Sequence, residues 1–515
     1  MKRYKIRECF PAGRNRHVNP LLLWVVLFFL LMTVNIVHLW DPPYWDGITG
    51  VYSQGIWLKN NQFDFFKLFE QNAYADAGPK VNLYLAMAPL FGVLSLVLPP
   101  VGVFFCLHLL TVVCASVTAA IFFVILRNSL SLWPALLWVL AALFNPIWNA
   151  QTAGMYLEIP AAALASLSLL FFWKKRFLYA GTLCFLGFFM KDSVLLLALT
   201  YFVFALADMV FSRFLPGRGV KMSRVHLCAC MAPAPVMVLL NQVNPQYFKI
   251  NWGISHVVSM TQYMVFMTRN IFPDLIMQLL LVAAACGLLL SVVKGQRQPL
   301  AFAEHKHFLF ALVLLIGGFW LSFVLYYNPL PRYTTFIVFP TAAALALLLS
   351  QRKTLSTFCA LVFLVFGIAN HNGALLPTVD RSGIFLERSR EYLKDIDGNR
   401  KICKRLENNH FSDPVVAKYP FVQMLTLPEL GYVHYPLPNV YAAGPLPQVT
   451  TARRYTSTSV MPANTVYVYA PNLFEKIFRP SLLPGDDAFF LMAERSHPSP
   501  ILLYRKRAAF SGTQH

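Results

Sequence analysis

Long apolar runs, broken at short intervals by polar or basic residues, dominate the first 370 positions of the chain. A helix crosses the hydrocarbon core of a bilayer with roughly 17–25 such residues. Runs of that kind fall near residues 20–38, 101–126, 132–149, 157–173, 177–190, 193–212, 225–243, 273–294, 307–327, 333–350 and 354–370. A further run at 81–98 reads as partly inserted or as one arm of an irregular segment. From about residue 371 the pattern changes to charges of both signs, turn-forming Pro and Gly, and short alternating stretches such as "TVYVYA" and "PSPILLYRKR". These predict strands, and "ERSREYLKDI" predicts a helix beside them. The expected architecture is mainly α, a polytopic transmembrane bundle of about 11–13 spans with a C-terminal extramembrane α/β domain. Residues 1–19 form a basic tail, 20–370 the membrane domain with a first external loop at 39–80, and 371–515 the outer domain.

Composition agrees: of 515 residues, 57% are hydrophobic and 13% charged, whereas soluble domains carry about 25% charged residues. The net charge of +20 does not imply nucleic acid, because Lys and Arg of a membrane protein gather in cytoplasmic loops and at anionic headgroups. Basic clusters at the N-terminus, Arg127, Lys174 to Arg176, 213–224, 294–306 and Arg352-Lys353 share one side if 81–98 does not cross. That side is cytoplasmic, so the N-terminus lies inside and the C-terminal domain outside. The first apolar run has no small-residue cleavage site after it and reads as a retained span. Nine cysteines, eight of them in the N-terminal tail or in apolar runs, give no disulfide framework.

Carboxylates beside apolar spans are costly without a partner or a task, which singles out Asp41 and Asp46 in "HLWDPPYWDGITGVYSQGIW" and Glu158 in "GMYLEIPAAALASL". All three fall on the external face in this topology. Asp41, ahead of two prolines, also suits a turn, and Glu158 also suits the positive end of a helix.

The order of these features resembles the GT-C glycosyltransferases, polytopic enzymes that take a sugar from a polyprenyl- or dolichyl-phosphate carrier. The nearest likeness is to the family 39 type, the group of protein O-mannosyltransferases and the aminoarabinose transferase of lipid A. "PYWDGITGVYSQGIWLKNNQFD" is similar to the group's first-loop acidic motif, with Asp46 in the first acidic place and Gly47 where Glu is usual. "GPKVNLYLAMAPLFG" resembles the following basic stretch, with Lys80 shifted behind Pro79. Glu158 stands where the group's later motif has Asp. "GFFMKDSVLLLAL" and "NPLPRYTTFIVFP" resemble its Lys- and Arg-bearing elements and supply Lys191 and Arg332. The resemblance covers about residues 20–350 and implies a GT-C-like fold.

Transfer from a lipid phosphate to a hydroxyl needs a base at the nucleophile and cations where phosphate charge develops. Attack opposite the phosphate implies inversion. Asp46 and Glu158 are the expected catalytic residues, with Asp46 as base and Glu158 orienting the acceptor, the sugar or a basic partner. Lys80, Lys191 and Arg332 are expected on the lipid phosphate. Asp41, Tyr44, Trp45 and Tyr52 are candidate sugar or acceptor contacts, although the aromatics also suit an interfacial belt. Lys191 also suits a local ion pair with Asp192. His256, Arg269 and Asp274 are candidates for an acceptor entrance. No cofactor is expected; a divalent metal is the minor alternative. The expected partners are a polyprenyl-phosphate-linked sugar, a glycan, lipid or protein acceptor and the bilayer, with a bacterial inner membrane as the location. The competing class is a lipid or solute transporter or flippase, against which stand the absence of an internal repeat and the gathering of acids at one face. A non-catalytic membrane scaffold whose outer domain binds a partner is the third class.

Overall fold

The structure, a computed structural model, describes residues 19–44, 47–65, 67, 86–214, 235, 300–325, 331–350, 352–371, 390–418, 420–443, 451–455, 462, 464–469, 488–494 and 501–506. Trp45, Asp46, Lys80, the runs at 225–243 and 273–294, and His256, Arg269 and Asp274 lie outside the described residues.

The chain is mostly helical. Helix α1 (Pro20–Asn35) starts where Asn19 accepts a hydrogen bond from the Leu21 amide and Pro20 occupies the first turn, the usual chemistry of a helix start. A 3-10 turn (Ile36–His38) carries it into the first loop. There a π-helical turn (Gly47–Tyr52) runs into α2 (Ser53–Asn60). Helices α3 (Met87–Val97), α4 (Pro100–Arg127), α5 (Leu132–Leu143), α6 (Pro146–Ala153), α7 (Glu158–Trp173), α8 (Phe177–Met190) and α9 (Leu195–Phe214) follow. After them come α10 (Leu300–Leu325), α11 (Thr335–Leu348) and α12 (Lys353–Ala369).

Among the described residues two helical stretches are long and apolar enough to cross a bilayer, Pro20–His38 and Pro100–Arg127, and a third if α5 and α6 count as one bent span. This is a membrane protein. On α1 and α12 the side chains of Leu21, Leu22, Phe29, Phe358 and Val365 are exposed, while Leu27 and Leu31 turn inward. Outward apolar faces of this extent fit lipid contact. Helix α3, with 11 residues, rises only about 16 Å, about half the hydrocarbon thickness.

The predicted single run at 132–149 is broken. Asn145 caps α6 by accepting from the amides of Ile147 and Trp148 at 3.0 and 3.3 Å. Pro146 fills the first helical position, and α6 leaves α5 at 62°. An Asn-Pro pair both ends one helix and starts the next. Every residue of α6 is buried.

Helices α2 and α3 meet at Gly55 and Gly92. A Cβ on Gly55 would lie 2.6 Å from Phe91 and 2.7 Å from the Ala88 carbonyl, and one on Gly92 would lie 2.8 Å from the Gly55 carbonyl. Small residues allow such close backbone approach. Gly55→Val is therefore expected to destabilise the protein by about 1–3 kcal/mol or more, read as a lowered Tm in detergent, while Ile56→Val stays within about 1.5 kcal/mol.

The C-terminal part holds α13 (Lys394–Asn409), preceded by a 3-10 turn at Arg390–Leu393, and α14 (Phe421–Thr426). Beside them lies a six-stranded sheet of order β3-β2-β1-β4-β6-β5. Strands β1 (Val415–Ala417), β2 (Val440–Ala442), β3 (Arg453–Arg454) and β4 (Val466–Tyr469) run parallel, whereas β5 (Ala488–Glu494) and β6 (Ile501–Lys506) close the other edge as antiparallel partners. Both stretches expected as strands are strands, and the expected helix starts within "ERSREYLKDI" and runs on to Asn409.

The apolar core falls into two large clusters. One fills the helical bundle, where Phe172 stacks on Tyr201 with centroids 4.6 Å apart and Trp148 meets Phe339 edge-on at 4.6 Å. The other is shared. Ile48, Tyr52 and Ile56 of the first loop, Phe104 and Leu107 of α4, and Ile402, Leu406 and Val415 of the C-terminal part belong to a single packed body.

Candidate active site

Glu158, Lys191 and Arg332 come together although 174 positions separate the first from the last. The local folding explains each placement. Helices α7 and α8, of 16 and 14 residues, rise about 24 and 21 Å and are joined by a tight turn in which Lys175 takes a positive φ of 57°. Two helices of matched length and opposite direction bring the end of the second back to the start of the first. Glu158 is the first residue of α7, where Pro160 is tolerated because the first-turn amides have no intrahelical acceptor. Lys191 ends α8 with extended backbone, φ −157° and ψ 136°. Arg332 sits in the 3-10 turn Pro331–Thr334 that leads into α11.

The Lys191 ammonium donates to Glu158 Oε1, and Arg332 Nε lies 3.7 Å from the same oxygen. Two aromatic rings complete the cluster. Arg332 lies over Tyr156 and Tyr333, its Cζ 5.1 and 5.4 Å from their centroids, and Lys191 Nζ is 5.1 Å from the Tyr333 centroid. Cation–π attraction of this kind orients a guanidinium and an ammonium without neutralising them. The side chains of Glu158 and Arg332 are only 4% and 3% exposed, against 15% for Lys191. Two cations thus face one carboxylate in a dry setting, and that arrangement suits an anionic oxygen ligand. Among the described residues no group of three or more His, Cys, Asp or Glu side chains could hold a metal ion.

The first-loop candidates have other surroundings. Asp41 closes a turn on the His38 carbonyl at 3.1 Å. Its carboxylate pairs with His38 Nδ1 at 2.8 Å and with Arg400 Nη1 at 3.1 Å. The Tyr44 phenol donates to Asp395 at 2.9 Å. Tyr52 is fully buried, donates to the Met155 carbonyl at 3.2 Å and meets Phe91 edge-on. Burial pushes its phenol well above the ordinary range, and it presents no open face for stacking a sugar. Glu158 is thus near two basic partners, and Lys191 reaches Glu158 across the helical hairpin.

Sequence reasoning did not single out Tyr156, Tyr333, His108, Asp395 or Arg400. Tyr156 and Tyr333 stand two residues before Glu158 and one after Arg332, so the motifs themselves carried the signal. His108 is a polar residue inside the longest apolar helix among the described residues, which is itself a flag; its Nε2 lies 3.1 Å from the Asp41 carbonyl oxygen.

Where α12 ends, the His371 carbonyl accepts from the Arg390 amide at 3.2 Å. Burial, and then the charges of Arg390 and His38, lower the pKa of the His371 ring to about 4 from the ordinary 6.5. The unfolded chain therefore binds more protons between these values. Stability from this group is complete above about pH 6.5 and is lost as pH falls toward 4. The drop in Tm from pH 7.5 to pH 5 is expected to be smaller in His371→Asn than in the parent protein.

No family model matches the chain, and no curated protein matches it. Two crystal structures of ArnT from Cupriavidus metallidurans are similar to it. The one in the apo state is 14% identical over 93% of this chain and 97% of that one, with a TM-score of 0.47. The one bound to undecaprenyl phosphate is 13% identical over 95% and 99%, with a TM-score of 0.38.

Proposed function

We propose that this membrane protein is a glycosyltransferase of the GT-C type, moving a sugar from a polyprenyl-phosphate donor to a hydroxyl acceptor on the extracytoplasmic face with inversion at the anomeric carbon. The observation that carries the reading is the convergence of Glu158, Lys191 and Arg332. Three motif residues, selected from separate stretches of sequence, form one cluster in which two cations face a buried carboxylate.

In this reading Lys191 and Arg332 hold the lipid phosphate and stabilise the charge that grows on its oxygen as the sugar leaves. Glu158 fixes both cations in place and keeps them from repelling one another while the phosphate is absent. Asp46 takes the acceptor proton, and Lys80 adds a third cation. The anomeric carbon forms its bond to the acceptor oxygen as the bond to the phosphate oxygen breaks, and the lipid phosphate departs as the anion. Tyr156 and Tyr333 orient the guanidinium and exclude water. The acceptor is an envelope glycan, lipid or protein hydroxyl. The bundle formed by 20–370 sits in a bacterial inner membrane with its N-terminus cytoplasmic, and 371–515 stands outside.

The test uses the purified full chain with a panel of radiolabelled undecaprenyl-phosphate hexoses and pentoses, together with bacterial envelope fractions as acceptor. Release of undecaprenyl phosphate matched by label in the acceptor is the expected result, absent in Glu158→Gln. Transport of the labelled lipid across proteoliposomes with no phosphate released from any donor would assign a flippase instead.

A further inference from the structure

The residues 390–443 of the C-terminal part hold the start of the first external loop at several points. Arg400 on α13 donates to the Asp41 carboxylate at 3.1 Å and to the Trp40 carbonyl at 2.9 Å. Asp395, one and a half turns earlier on the same helix, accepts from Tyr44 at 2.9 Å and is 6% exposed. The Tyr432 phenol donates to the Pro43 carbonyl at 2.8 Å. Lys59 at the end of α2 reaches Glu429 at 3.2 Å, and Arg390 donates to the Val34 carbonyl at the end of α1 at 2.8 Å. Gly431, at φ 74°, packs so closely on Phe104 of α4 that a Cβ there would lie 2.6 Å from the ring. Each contact joins positions more than 300 residues apart in the chain.

Between the loop and α13 lies a small cavity of about 10 Å³, room for about one water, to which Asp41, Tyr44, His108, Tyr156, Leu393 and Ile396 contribute. Tyr156 is the ring under Arg332. Tyr156 is therefore shared by this cavity and the cationic cluster, and Leu393 and Ile396 of the C-terminal part line the same cavity.

We infer that the C-terminal part is a working portion of the active site: through Arg400 and Asp395 it sets the segment from Asp41 to Tyr44 against the Tyr156 side of the cationic cluster. Arg400 and Asp395 are positioning residues in this account, acting through the loop. The inference rests on the transferase reading above. It assigns a task to Asp41, whose carboxylate is the point where Arg400 of the outer part and His38 of the membrane part meet. Held from both sides, the loop keeps its geometry when substrate enters, which avoids an ordering cost at each turnover.

The experiment compares Arg400→Ala, Arg400→Lys, Tyr44→Phe and the exchanged pair Asp41→Arg with Arg400→Asp, all in the full chain. Each is measured for equilibrium binding of undecaprenyl phosphate and for kcat at saturating donor, using the panel donor that gives turnover. Arg400→Ala and Tyr44→Phe are expected to lower kcat at least tenfold while undecaprenyl phosphate binding stays within about twofold. Arg400→Lys and the exchanged pair are expected to recover part of the loss. Normal kcat in Arg400→Ala and Tyr44→Phe, or binding that falls in step with kcat, overturns the inference while leaving the transferase reading intact so long as Glu158→Gln is inactive. Full activity in Glu158→Gln would overturn the reading of the site and the inference with it.

Discussion

Replacing Arg332 by Met is expected to lower transfer about 10²–10³-fold, the loss that follows removal of one preorganised donor from a developing oxyanion. The geometry gives the reason. Arg332 is 3% exposed and lies between Glu158 and the rings of Tyr156 and Tyr333, so no water can take over its charge. Met keeps most of the stem volume, which separates lost charge from lost packing. Arg332→Lys restores a charge but not a planar fork, and it is expected to recover only part of the activity. Undecaprenyl phosphate binding should weaken in both variants, since the same cation serves the ground state. The measurement is kcat and lipid-phosphate affinity, side by side.

The second large effect belongs to Asp46. Asp46→Asn removes the proposed base without changing shape, and general-base assistance contributes about 10²–10⁴-fold. Loss in kcat of that size is expected with undecaprenyl phosphate binding nearly unchanged, because a base toward the acceptor makes no contact with the phosphate. The two variants therefore separate by affinity: Arg332→Met weakens lipid binding, Asp46→Asn does not. Unchanged turnover in Asp46→Asn would move the base to another residue.

The members of the candidate cluster were legible from local sequence. Lys191 and Arg332 follow apolar runs in motif-like settings, and Glu158 opens one; a charged residue at such a place needs a reason. What the sequence could not supply was their meeting, which depends on the matched lengths of α7 and α8 and on where the turn before α11 falls. The break in the run at 132–149 had a local signal, the Asn-Pro pair at 145–146, but continuous hydrophobicity masked it. Hydropathy reports whether a segment tolerates lipid and is silent about its direction. Asp41 was legible as a turn former and does close a turn. Its pairing with Arg400 was not legible, because the amphipathic pattern of α13 sets Ile402 and Leu406 inward but does not select which arginine reaches a loop 359 residues away. The same limit hid Asp395. Tyr52 was chosen for its chemistry as a sugar-stacking residue, yet the close approach of α2 to α3 buries it completely.

A structure with undecaprenyl phosphate bound tests the central claim most directly. The account predicts the phosphate oxygens within about 4 Å of both Lys191 Nζ and the Arg332 guanidinium, the range of a formed ion pair, with the lipid chain leaving toward the bilayer. A phosphate bound elsewhere, with Lys191 and Arg332 still closed on Glu158, would contradict it.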